Sequence, residues 1–352
     1  MSCNRILTFS LALITLFACV PQDRYVVFSG YAQGGTYAVK INLKGEEGMI
    51  RVSTEEIRDS VAAILDRIDR SLSGYNKGSL LSRFNEGERI VPDNLFLDIY
   101  EKAYYLYDET GGMLDVASGP LYDLWGFGFK SGKLPDVDEV KDALSISGMN
   151  RLIKDVRGAL DADGSLSGEN LLKEGETGSV RLNYNAIAQG YSCDVVARYL
   201  YSIGVKDMMV DIGEIFCDGK NPSGKPWTIG IDRPVDGNNS PGADVQTIFR
   251  VPEGPHGVVT SGNYRKFHIK DGKKYAHTID PRNGNPVMHN LLSATIVAPN
   301  ALDADAYATY CMAIGLEESI AFLDSRSDLE GCLIYDNEGE FCVWCSSGFR
   351  VD

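Results

Sequence analysis

The sequence predicts an α+β protein, and three observations carry that prediction. Apolar residues recur at helical spacing in a few long stretches. The β-like segments stand apart from these and are joined by turns such as Asp271-Gly272 and the "DNEGE" of residues 336–340. Helices and strands do not alternate singly, as a regular βαβ winding requires.

In chain order, "YVVFSGYAQGGTYAVKINL" opens as β-like sequence. From Ser53, a Ser followed three residues on by Glu56 forms a capping box, and Ile57, Val61, Ile64, Leu65, Ile68 and Leu72 then fall on one helical face. A second helix, "DNLFLDIYEKAYYLYDETGG", begins after Pro92 and stops at Gly111 and Gly112. Residues 161–179 are polar and Gly-rich and read as a solvated loop or long hairpin tip. A third helix starts near Asn185 and ends at Gly204. The β-like runs "DMMVDIGEIFCDG", "WTIGIDRP", "QTIFRVPEG" and "GVVTSGNYRKFHIKDGKKYAHTIDP" follow, then "LLSATIVAP". After it comes the fourth helix, "NALDADAYATYCMAIG", and "GCLIYDNEGEFCVWCSSGF" closes the chain. No internal repeat or clean linker appears, which favours two interlocked lobes over separable domains.

The chain has 352 residues, 44% hydrophobic and 24% charged, enough for a sizeable core. Its formal net charge of -15, with no Lys/Arg-dense stripe, disfavours nucleic acid as a partner. The first residues are different in kind: Arg5 precedes an uncharged run over residues 6–18, too short to span a bilayer and suited to a secretory signal. "LFAC" resembles a bacterial lipobox, which puts a signal peptide at residues 1–18, a lipid-modified Cys19, a tether over 19–27 and one domain over 28–352. Plain cleavage near Ala18 is the other reading. A single lipid anchor would then be the chain's only hold on a membrane, facing the periplasm. Of the eight cysteines, Cys193 and Cys311 lie in helical stretches as small buried hydrophobes. Cys342 and Cys345 sit in a strand whose period of two sends them to opposite faces, which argues against a shared metal, and the spacings select no disulfide.

Asp305 and Thr309 are four apart, so a helix places both on one face as hard oxygen donors of the kind Mg²⁺ takes. On their own they equally fit a wet helix face, and Asp303 fits a first-turn acid favoured by the helix dipole. His277 stands where a strand hands over to the turn-rich "HTIDPRNGNPV". It is either a working base or a hydrogen-bonded structural residue, and Asp280 fits an Asx turn before Pro281. "GGTY", "SGYNKGSLLSRFN" and "MLDVASGPLYDLWGFG" each combine Gly with an aromatic or amide able to contact a planar ligand.

The order of these pieces resembles the ApbE-type FAD:protein FMN transferases, from about Phe28 to Arg350. The stations are "GGTY", "SGYNKGSLLSRFN", the "LDVASGPL" and "DLWGFG" pieces, "NAIAQGYSCD", "VDIGEIFCDG", "WTIGIDRP", "TSGNYRKF", "HTIDPRNGNPV" and "ADAYAT". The resemblance implies a T-fold-like architecture, antiparallel sheets with packed helices, and a flavin site between two lobes. It implies Mg²⁺ held by Asp305, Thr309 and the main-chain oxygen of Ala186. FAD would lie against Gly34, Gly35, Tyr75 and the Met113, Leu114, Asp115 segment, with Asn183, Gln189 and Ile279 completing the surroundings and His277 assisting proton removal. The implied partner is an acceptor protein with a Thr or Ser to be flavinylated, of the kind found in exported or membrane redox subunits of Na⁺-translocating NADH:quinone reductase or Rnf type. The sequence departs from the family pattern at Asn183 (usually Asp), Gln189 (usually Lys), Leu80 (usually acidic) and Gly34 (usually Met). Losing Asp and Lys together allows an amide pair to replace an ion pair. An Mg²⁺-dependent FAD pyrophosphatase, giving FMN and AMP, and a non-catalytic FAD-binding lipoprotein are the rival readings.

Overall fold

The computed structural model describes residues 24–45, 48–127, 135–235, 242, 244–263, 267–270 and 273–351. The signal segment with Cys19, Gly128 and the Asp271-Gly272 turn lie outside them. Nine helices are described: α1 Thr54–Leu72, α2 Leu80–Asn85, α3 Asn94–Glu109, α4 Gly119–Leu124, α5 Val137–Ser145, α6 Gly168–Leu171, α7 Ala188–Ser202, α8 Ala301–Ile314 and α9 Leu316–Asp324. The main sheet has eight strands: β1 Tyr25–Ala32, β2 Gly35–Asn42, β3 Met208–Asp211, β4 Ile215–Asp218, β5 His256–Gly262, β6 Leu291–Ala298, β7 Glu330–Asn337 and β8 Glu340–Cys345. They lie side by side in chain order and every neighbouring pair is antiparallel. Helices and antiparallel strands thus form an open α+β architecture.

Local rules explain the long helices. The Ser53/Glu56 capping box closes the start of α1, and Asp93 accepts from Phe96 N at α3. Asn300 accepts from Asp303 N at α8. Helix α7 begins at Ala188, a few residues after the expected Asn185, because residues 185–187 form a turn. Two helices carry signals that the sequence reading passed over: α5 has an Asp136/Glu139 capping box, and α9 follows α8 directly at Gly315.

Alternation along the strands divides the core. One sheet face, through Val39, Ile41, Val210, Ala294, Ile296 and Leu333, packs against α1, α3, α7 and α8 in the main cluster. The other, through Val258, Val297, Cys332 and Ile334, packs against the hairpin Thr228–Asp232/Val245–Arg250 and Phe349. A smaller cluster of Leu121, Trp125, Val140, Ala143 and Ile279 sits under α4 and α5.

Two expectations change. Strand β1 begins at Tyr25, inside the stretch assigned to the tether, because its residues pair in full with β2. The 161–179 segment is solvated only in part: residues 173–179 are exposed, but Leu166 and Leu171 are fully buried, and bridges join Leu166 to Ile90 and Leu172 to Leu152. A few leucines outweigh the polar residues around them, since burying each is worth about 2 kcal/mol.

Candidate functional site

The site is built where α7 crosses the first half of α8. Gly190 allows that approach: a Cβ there would stand 2.2 Å from the Ala301 carbonyl oxygen and 2.8 Å from Asp305 Cβ. Two carboxylates tie the helices together. Asp194, one turn after Gly190, accepts from the N–H groups of Ala301 (2.8 Å) and Leu302 (2.9 Å), capping α8 from a neighbouring helix. Asp305 accepts from Gly190 N at 3.0 Å.

That last bond has a geometric consequence. The Gly190 N–H would ordinarily reach back four residues to the carbonyl of Ala186. It is turned to Asp305 instead, and among the described hydrogen bonds none falls on the Ala186 oxygen. Asp305 itself is 4% exposed, and the described residues give it no cationic partner. Burial raises its pKa, and Asp194 adds to the rise while the Gly190 bond opposes it. Thr309, one turn on, has its hydroxyl 3.4 Å from that of Ser261 on β5. Among the described residues, a buried carboxylate short of a positive partner, a carbonyl without a donor and a hydroxyl are a donor set that fits Mg²⁺. No group of three His, Cys, Asp or Glu side chains suited to a metal occurs among the described residues, so any cation here relies on mixed oxygen donors.

The other expected residues fall around this crossing. Gln33 and Gly34, both at positive φ, make the two-residue turn between β1 and β2, and Gln33 reaches Ser192 on α7. Gly34 is exposed, Gly35 half-buried, and neither has an atom within 4 Å of where a Cβ would stand. Tyr75, 63% exposed, accepts from Asn185 Nδ2 at 3.3 Å. The Asn183 side chain accepts from Asn185 N at 3.0 Å, shaping the turn that presents Ala186, while its own N–H donates to Val116. Gln189 donates to the Ile212 carbonyl at 3.2 Å.

Met113 and Leu114 bury their side chains in the interior. Asp115 accepts from Ala117 N (2.8 Å) and Met149 N (3.1 Å), and burial pushes it up to about 6 despite these bonds. It organises a loop. Ile279 is likewise 2% exposed, packed by Leu121 and Trp125, with its backbone hydrogen-bonded to the Tyr122 hydroxyl. His277 is half-buried, its ring edge-on to Phe127 at 6.4 Å. The loop after it is held by Asp280: Arg282 N and Asn283 Nδ2 donate to its carboxylate, and the Arg282 guanidinium pairs with it at 2.9 and 3.0 Å. Burial works against that carboxylate, but Arg282 outweighs it and holds Asp280 below the usual range. Sequence reasoning missed Asp194, Gly190 and Ser261, although the first two sit four apart within the quoted "NAIAQGYSCD", a spacing that puts them on one helix face.

Fold and site together define an α+β protein with a cluster of oxygen donors at a helix crossing, on one face of an open antiparallel sheet. The ApbE family profile matches residues 34–333. The chain is 31% identical over 346 residues to an FAD:protein FMN transferase of Vibrio cholerae, covering 96% of each. It is 30% identical over 344 residues to that of Haemophilus influenzae, covering 96% of this chain and 94% of the relative. The solved flavin transferase ApbE from Vibrio cholerae superimposes with a TM-score of 0.75 at 30% identity, over 92% of this chain and 98% of that one. The apo flavinyl transferase ApbE of Pseudomonas stutzeri gives 0.76 at 28% identity, over 93% and 96%. The chain belongs to the ApbE family.

Proposed function

We propose that this chain is a transferase that moves FMN from FAD to a Thr or Ser hydroxyl of an acceptor protein, releasing AMP, with Mg²⁺ at the α7–α8 crossing. The family and the names of its relatives support flavin transfer to protein. The observation that carries the metal is the Gly190 N–H turned to the buried Asp305 carboxylate, which among the described residues leaves the Ala186 carbonyl without a donor. Asp305, Thr309 and the Ala186 oxygen would hold the ion. When bound, it would neutralise charge on the diphosphate, a need made greater by the chain's net charge of -15. The remaining work belongs to the protein. Gly190 fixes the Asp305 carboxylate, Asp194 fixes the start of α8, and the exposed Tyr75 ring offers a stacking face to a flat ligand. His277 takes the proton of the attacking hydroxyl, which is a poor nucleophile at neutral pH without a base.

In this reading the protein is exported and lipid-anchored at Cys19, facing the periplasm, and its acceptors are exported or membrane redox subunits. The export-type N-terminus supports that placement. The test is to incubate the chain with FAD, Mg²⁺ and an acceptor domain and weigh the acceptor. An FMN adduct with matching AMP, lost in His277→Ala while FAD still binds, is the expected result. Free FMN without adduct would make the chain a pyrophosphatase; FAD binding without AMP would make it a carrier.

A further inference from the structure

The cysteines play no part in this chemistry, yet the sheet brings two of them face to face. Cys332 on β7 is the direct register partner of Cys345 on β8. The hairpin fixes what kind of pair they are. Its two-residue turn, Glu338 and Gly339 at positive φ, leaves Asn337 opposite Glu340 as the hydrogen-bonded closing pair. Counting back, hydrogen-bonded pairs fall at Tyr335/Cys342 and Leu333/Trp344, and the next is Gly331/Ser346. There Ser346 N donates to the Gly331 carbonyl at 2.9 Å. Cys332/Cys345 is therefore a non-hydrogen-bonded pair, the kind in which Cα atoms stand about 4.5 Å apart and side chains are closest. That spacing lies within the range a disulfide spans.

We propose that Cys332 and Cys345 form a cross-strand disulfide, stapling edge strand β8 to β7, when the chain meets a disulfide-bearing oxidant. Both are free thiols in the structure; Cys332 is buried and Cys345 half-buried, packed with Cys217, Val297 and Ile334 on the sheet face away from α8. Cys342, three residues earlier, faces the other side, opposite Tyr335, and takes no part. Cys345 is the more accessible of the two sulfurs and is the one an oxidant reaches first. The Cys345 thiolate attacks one sulfur of the oxidant's disulfide and expels the other as a thiolate. Cys332 then loses its proton, attacks the Cys345 sulfur and expels the second thiolate, so two electrons pass to the oxidant.

The experiment treats the purified chain with oxidised glutathione, quenches in acid, alkylates after denaturation, and cleaves after glutamate. Cleavage at Glu338 or Glu340 puts Cys332 and Cys345 on different peptides. The expected result is a linked peptide pair about 2 Da lighter than its two reduced parts. The link should persist in Cys342→Ser and vanish in Cys345→Ser. Full alkylation of both thiols after oxidant, arrest at a glutathione adduct on Cys345, or loss of the link in Cys342→Ser would each overturn the proposal. Because the readout is a covalent link, it is independent of flavin transfer.

Discussion

At the scale of single residues, Asp305 is the side chain on which the proposed metal depends most. It is buried, it has one backbone donor, and its nearest charged influence is another acid. Asp305→Asn keeps an acceptor for Gly190 N while removing the charge. Transfer should fall about 100-fold or more. The metal-free melting temperature should hold or rise, because a buried unpaired carboxylate has been removed. A drop in melting temperature without Mg²⁺, measured in EDTA, would show that Asp305 is structural instead. His277 stands at the start of the loop held by Asp280, its ring edge-on to Phe127. Of the expected site residues, Met113, Leu114 and Ile279 are buried. The sequence shows an apolar side chain equally well whether it lines a ligand or fills the interior.

At the scale of elements, the site is the product of one helix seating another. The first N–H groups of α8 lack intrahelical partners, and Asp194 supplies both of its oxygens to them from α7. Asp194→Ala should therefore destabilise the fold by about 2–4 kcal/mol, the cost of leaving buried N–H groups unmet. Asp194→Asn, which keeps one acceptor, should lose about half of that; denaturant titration of the three proteins measures it. Elements with strong local signals were readable in the sequence: the Ser53/Glu56 box, Asp93 and Asn300 all cap as their types suggest. Helix α5 was readable by the same rule, through Asp136 and Glu139, and was passed over because its apolar positions, Val140 and Ala143, are few. The buried part of the 161–179 segment was not legible for the opposite reason, since its structure comes from distant partners, Ile90 and Leu152, which no local pattern reveals.

At the scale of the whole molecule, buried acids set the pH response. Asp115 and Asp194 are both pushed up to about 6 by burial, against the lowering effect of their backbone donors. The folded chain thus binds more protons than the unfolded one between the ordinary Asp value of about 4 and about 6. Stability in EDTA should rise as pH falls from 7.5 to about 5, and then decline near pH 4 and below as Asp280 and Asp328, held low by Arg282 and Arg326, become protonated. Thermal melts across that range check the sign; a steady fall from pH 7.5 to 5 contradicts it. The order of the main sheet has a mechanical consequence. Because β1 to β8 lie in chain order, the first and last strands are opposite edges, about 34 Å apart along the sheet. Tension applied between the two chain ends would load the inter-strand bonds one row at a time, like a zipper rather than a shear lap, and peeling would begin at whichever margin is not riveted.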